Sequence, residues 1–165
     1  MTRTLTEIDD ILRADKSLHG NLEWVEDGAR ALITRSVVDQ RGVVIGGLIL
    51  QLWALTEVAI QRAGGSLVLD GTPIQRMTYR PGNAHLNNNA HPTPPALRLK
   101  TLPAERSRIY LWSNNRAWPI HQNLRAGKVI EPEPASASAA FELFLESCAI
   151  STYLPNPPHR PMLEL

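Results

Sequence analysis

The side chains best suited to chemistry in this 165-residue chain crowd into its central third. Between Arg76 and Lys128 stand nine bases (Arg76, Arg80, Arg98, Lys100, Arg106, Arg108, Arg116, Arg125 and Lys128) against one acid, Glu105. His85, His91 and His121 fall in the same segment, and Tyr110 and Trp112 follow the arginines. Arginine and lysine neutralise phosphates, and aromatic rings give unpaired bases a surface to stack on. A neutral histidine beside a phosphate can take the proton of a ribose 2′-hydroxyl, and a second can return one to the leaving oxygen. Arginine then stabilises the charge that builds on the phosphorus oxygens. The segment therefore reads as a surface for RNA or another polyanion, extending to a ribonuclease that needs no metal. In that reading His85 or His91 is the base and His121 the acid. Arg80, Arg98, Lys100, Arg106, Arg108, Tyr110, Trp112 and Arg116 bind the nucleic acid, with Arg108 and Arg116 as phosphate clamps. The competing reading is plainer: one-sided sheets show Arg and Tyr to solvent without any ligand, and loop histidines bond to backbone.

Other chemistries find less support. His85 and His91 are separated by five residues, a spacing that no standard structural zinc pattern uses. No Asp or Glu lies between Gly71 and Ala104, so carboxylates for a hard cation are missing from the polar stretch. We therefore expect neither a metal nor a cofactor. Cys148 closes an apolar helical stripe with Phe141, Phe144 and Leu145, the setting of a buried, inert thiol. Gly42, Gly46-Gly47 and Gly64-Gly65 lack the spacing and the following Lys-Ser/Thr of a phosphate loop, and no G-x-S-x-G occurs.

The formal charge of the whole chain is only +1, because the flanks are acidic. Met1–Asp27 holds Glu7, Asp9, Asp10, Asp15, Glu23, Glu26 and Asp27, and Glu131–Leu165 holds Glu131, Glu133, Glu142, Glu146 and Glu164. Such asymmetry makes a local positive field that the total hides. It also allows an opposite outcome, in which the flanks pair with the centre inside the fold. An apolar fraction of 43% and a charged fraction of 20% are those of a globular protein. The single cysteine excludes an intrachain disulfide and fits a reducing compartment. The start, MTRTLTEIDD, lacks the apolar region of a secretory signal, and Val43–Leu55 is too short for a membrane helix. The expectation is a cytoplasmic protein without membrane contact.

The elements that must position these residues follow from local pattern. Thr4 and Glu7 form a capping box, and Leu5, Ile8, Ile11 and Leu12 share a helical face, which predicts a helix over Leu5–Leu18. Leu22–Val25, Arg30–Val38, Val43–Leu55, Ile74–Tyr79, Leu97–Leu102 and Arg108–Trp112 read as strands. Ala63-Gly64-Gly65, flanked by Val58–Gln61 and Ser66–Leu69, reads as a hairpin turn, Asp70-Gly71 as another, and Gly46-Gly47 as a bulge or bend. Arg80–Pro95, with four prolines and four asparagines, is a long loop. Alternation would put Arg106, Arg108, Tyr110 and Trp112 on one face of the last strand, and pairing with the neighbouring strand would add Arg98 and Lys100. Phe141, Phe144, Leu145 and Cys148 mark a final helix, capped by Ser136 or Ser138. The expected fold is α+β: an N-terminal helix, an antiparallel meander of about six strands and a C-terminal helix packed on the sheet. One domain spans residues 1–152, and 153–165 is a Pro-rich extended tail.

The stretch from Pro73 to Ile150, about half the chain, resembles a group of small uncharacterised bacterial proteins met around mobile elements. Their pattern is an I-x-R-L strand, then H-x-N-P, then H-x-H-x-Y, then W-A near P-L, then a helix ending in Cys, a small or polar residue and Ile. Here the matches are Ile74-Gln75-Arg76-Met77, His85-Leu86-Asn87, Tyr110, Ala117-Trp118-Pro119-Ile120 and Phe144–Ile150. The order of strand, histidine loop and final helix is also similar to that of the TumE toxins of bacterial toxin–antitoxin pairs. Arg106 and Arg108 replace both histidines of H-x-H-x-Y, and Asn88 stands where proline would follow the Asn. The resemblance implies a toxin-like, defence or mobile-element setting. If the histidine pair carries chemistry in that group, this chain keeps anion binding in its place. The alternative function is that of a non-catalytic adaptor or complex subunit. It would meet a protein partner, such as an antitoxin, through its acidic first helix, its tail and its basic face.

Overall fold

The computed structural model describes residues 2–118 and 124–162. The elements run α1 (Leu5–Arg13), β1 (Ser17–Leu18), β2 (Val25–Asp27), β3 (Arg30–Val38), β4 (Val44–Leu55), β5 (Ala63–Leu69), β6 (Thr72–Tyr79), β7 (His85–Leu86), β8 (Thr101–Leu102), β9 (Arg108–Tyr110), β10 (Lys128–Val129) and α2 (Ala137–Ser147). Single 3-10 turns occupy Pro95–Leu97 and Trp112–Asn114. The fold is α+β, as expected. Among the described residues eight strands form an antiparallel sheet in the order β1-β3-β4-β5-β6-β9-β10, with β2 also paired to β3. β1 and β10, which no local pattern predicts, are two residues long each, too short to show a period.

The capping box starts α1 as the sequence predicts: Glu7 N–H donates to Thr4 Oγ1 at 3.2 Å, and Thr4 N–H to Glu7 Oε2 at 2.6 Å. The helix stops at Arg13, not at Leu18. Lys16 turns inward at 3% exposure, and its ammonium donates to the carbonyls of Ile11, Leu12 and Ala14 at 2.7, 3.2 and 2.5 Å. Those carbonyls belong to the last turn of the helix and to its cap, where a cation is favoured. The next two residues then pair with β3. Asp70 and Gly71, at φ +48° and +80°, make the tight turn between β5 and β6.

Ala63-Gly64-Gly65 is no hairpin turn; it is the buried start of β5, and Val58–Gln61 before it is irregular, not a strand. A Cβ at Gly64 would stand 2.7 Å from Trp53 Nε1, and one at Gly65 would stand 2.9 Å from Phe144 Cε1. Consecutive strand residues face opposite ways, so each glycine makes room for one aromatic ring on one face of the sheet. The Leu97–Leu102 strand is also corrected. Its start is a 3-10 turn, and only Thr101–Leu102 pairs, with His85–Leu86 in a separate two-stranded ribbon.

The two faces of the large sheet differ. Ile33, Leu52, Met77 and Ile109 lie in register on the inner face and join one apolar core with Ile8 of α1 and Phe141, Phe144 and Leu145 of α2. Ser136 caps α2 by accepting from Ala139 N–H at 3.1 Å. Cys148 is fully buried at the end of that helix, and burial pushes its thiol up to about 12. The segment after Ile150 is extended and fastened to the body. Trp24 Nε1 donates to the Pro155 carbonyl at 2.8 Å, and Arg160 forms ion pairs with Glu26 and Glu57 at 2.7 and 3.6 Å. Among the described residues no helix is long and apolar enough to cross a membrane.

Candidate functional site

On the outer face, cross-strand register sets two rows of side chains. One runs Leu32, Trp53, Gly64, Thr78, Arg108; the other runs Thr34, Gln51, Ser66, Arg76, Tyr110. At the β6–β9 end of these rows the Arg76 guanidinium lies 4.3 Å from the centroid of the Tyr110 ring, a cation–π contact. His85 meets the same ring edge-on at 5.4 Å. Arg108 sits one row away, 6% exposed, donating to the Asn83 backbone carbonyl at 2.9 Å and to Asn83 Oδ1 at 3.1 Å.

Two asparagines hold this corner together. Asn87 donates to the carbonyls of Leu97 and Gly127 and accepts from Gly127 N–H at 3.0 Å. Asn115 donates to the carbonyls of Leu111 and Ala126 and accepts from the N–H groups of Arg125 and Ala126. Together they pin 124–127 beside β9. That brings the Leu124 carbonyl to Arg76 at 3.3 Å and the Arg125 carbonyl to His85 Nε2 at 2.8 Å. A carbonyl only accepts, so Nε2 carries the proton and Nδ1 is the basic nitrogen of the neutral ring.

Neither Arg76 nor Arg108 forms an ion pair with a described carboxylate. The Nε atoms of both are buried and bond to nothing described. Burial pulls the Arg108 guanidinium below the usual arginine range; the Tyr110 hydroxyl opposes this and the Arg76 charge adds to it. A buried guanidinium, that of Arg108, held beside the like charge of the partly exposed Arg76 with no described carboxylate to offset it is a standing cost. A bound anion would remove it.

The remaining sequence-predicted residues divide. Arg106 does not share the surface: it pairs with Glu131 at 2.8 Å and Glu133 at 3.2 Å. Arg116 pairs with Asp9 at 2.7 Å, and Trp112, 3% exposed in the inner core, donates its indole N–H to the same carboxylate at 2.7 Å. Alternation fails past Tyr110 because the chain leaves the strand for a 3-10 turn at Trp112. Arg98 is spent on the Thr93 carbonyl at 2.9 Å, and Lys100 is exposed on the approach to β8; neither strand pairing nor register joins them to β9. Arg80 is left-handed at φ +46°, with its guanidinium 5.7 Å from the centroid of the Tyr79 ring. It lines a separate cleft of about 150 Å³ with Ile60, Arg62, Gly82, Ala104 and Glu105. His91 is exposed before a cis proline, and His121 lies outside the described residues. Among the described residues no group of three or more His, Cys, Asp or Glu side chains could hold a metal ion.

Of the predicted residues, the structure thus gathers Arg108, Tyr110 and His85, and adds Arg76 and Asn83; Tyr110 is only 1% exposed, so its ring backs the Arg76 guanidinium and is not open for a base to stack on. Arg76 stood among the nine cations, but only the β6–β9 pairing, thirty-four residues apart, sets it against Tyr110. Searches of the chain against protein-family models, curated proteins and solved structures give no match.

Proposed function

We propose that this protein binds RNA, or a polyanion of like charge density, at the Arg76–Arg108–Tyr110–His85 corner of its outer sheet face. The observation that carries the reading is that two guanidinium groups on paired strands both have buried Nε atoms and no described carboxylate partner, a feature Arg80 shows only singly, at its separate cleft. Burying unpaired charge is costly, and such a cost persists where a ligand later supplies the counter-charge. A reducing, cytoplasmic setting is supported by the single buried thiol. A toxin-like or defence role is what the resemblance implies.

The test is a salt series with a labelled single-stranded RNA. Affinity should fall linearly on logarithmic axes, and Arg76→Met and Arg108→Met should each flatten the slope by about 0.7. A flat response, or no binding at low salt, sinks the proposal.

A metal-independent ribonuclease is a second reading, favoured by the basic Nδ1 of His85 beside two arginines. It predicts RNA cleavage in the presence of a chelator, abolished in His85→Ala. Intact RNA under those conditions leaves a binding protein. The adaptor reading has less to stand on, since Asp9 of α1 and Pro155, His159 and Arg160 of the tail are engaged within the chain. Competition by polyglutamate as effective as by RNA would favour it.

A further inference from the structure

Three of the four tryptophans serve the inner core. Trp112 is buried in it, Trp118 packs against it, and Trp24 lies 5.6 Å from Phe141, centroid to centroid. Trp53 belongs neither to that core nor to its rim. It sits half-buried on the outer face, on the row that ends at Arg108. Its indole lies over Gly64, where a Cβ would come within 2.7 Å of Nε1 and 2.8 Å of Cε2 and Cζ2. A glycine inside a strand weakens it, so the backbone here gives up stability to provide the floor on which the ring rests. No described residue accepts a hydrogen bond from the Trp53 indole N–H.

Between this ring and the arginine corner the outer face is polar. Gln51 is exposed, and Ser66 and Thr78 are partly so. All three can donate and accept hydrogen bonds. Strands stand about 4.8 Å apart, so β4 lies roughly 10 Å from β6 and roughly 14 Å from β9. A ligand touching both Trp53 and the arginines is therefore elongated. It carries an aromatic group at one end, polar groups along its length and negative charge at the other end. Single-stranded nucleic acid has that composition. A duplex keeps its bases stacked inside, and a sulfated polysaccharide has no flat ring to offer.

We propose that Trp53 is a base-stacking station, and that an unpaired strand of more than one nucleotide crosses the outer face from Trp53 to the Arg76–Arg108 corner. This rests on the anion-binding reading above and adds the class of ligand.

The experiment compares an oligouridine with an abasic strand of equal length, and so of equal phosphate count, at one fixed salt concentration. The native chain should bind oligouridine roughly 5- to 140-fold more tightly than the abasic strand, the equivalent of one stacked base. Trp53→Leu should erase that preference while leaving the affinity for the abasic strand unchanged. Arg108→Met should weaken both strands together. Trp53→Phe keeps an aromatic ring and should retain part of the preference; it carries the test alone should the leucine variant fail to fold. Equal binding of the two strands by the native chain, or a preference that survives Trp53→Leu, overturns the stacking station while salt-dependent binding persists. Loss of salt-dependent binding to both strands overturns the anion-binding reading and this inference with it.

Discussion

Four arginines surround β9, and they fall into two pairs with opposite surroundings. Arg106 and Arg116 are each answered by an acid from a flank: Glu131 and Glu133 for the first, Asp9 for the second. Arg76 and Arg108 are answered by a tyrosine ring, an asparagine and a backbone carbonyl, none of which carries a compensating charge. The first pair ties distant parts of the chain to the sheet. The second spends folding energy with no return inside the fold. The acidic flanks thus cancel part of the central charge and leave a small, specific remainder, which the sequence total of +1 conceals.

The comparison is most easily broken on the paired side. Glu133 accepts from Ser107 N–H at 3.0 Å, from Ser107 Oγ at 2.5 Å and from Arg106 Nε at 3.2 Å. Ser107 is fully buried. Glu133→Ala strands these donors and should cost about 3 kcal/mol in urea unfolding. A loss under about 0.5 kcal/mol would mean that the pairing is ornamental. On the unpaired side Arg108→Met should leave stability within about 1 kcal/mol of the parent, or raise it, because an apolar group of similar length replaces an unanswered charge. A large loss would show Arg108 to be a structural residue after all.

The smallest effect is one of acidity. Hydrogen bonds from Arg116 and from the Trp112 indole, the larger contribution first, hold the Asp9 carboxyl down at about 2, against an ordinary 3.8. The unfolded chain therefore takes up this proton at a higher pH than the folded one. The contribution of Asp9 is complete above the ordinary value and fades as pH falls from there toward about 2. Melting temperatures of the native chain and of Asp9→Asn should converge over that interval. Parallel curves would show that the carboxylate contributes nothing through its charge.

Much of the fold was legible because its signals are local. The Thr4–Glu7 box, the β-branched run Arg30–Val38, the Asp70-Gly71 turn and the Phe141–Cys148 stripe each lie within one element. The site was legible only in composition. His85, Arg108 and Tyr110 were singled out by type, but what joins them is the pairing of β6 with β9 and the pinning of 124–127 by Asn87 and Asn115. Hydrogen bonds that span ten to forty residues leave no period in a sequence, and two asparagines in polar stretches look like any others. Glycine misled for a related reason. It is read as a turn signal because its backbone is permissive, whereas Gly64 and Gly65 are needed for the side chains they lack.

That pair of glycines also makes β5 the place where the proposed stacking ring and the packed core come closest. One peptide bond separates a residue that touches the ring offered to solvent from one that touches the helix beneath. Gly64→Ala would crowd the Trp53 indole; Gly65→Ala would press on Leu52 and Phe144. Neighbouring codons therefore set the room for two different rings, one on the outer face of the sheet and one in the packing beneath it.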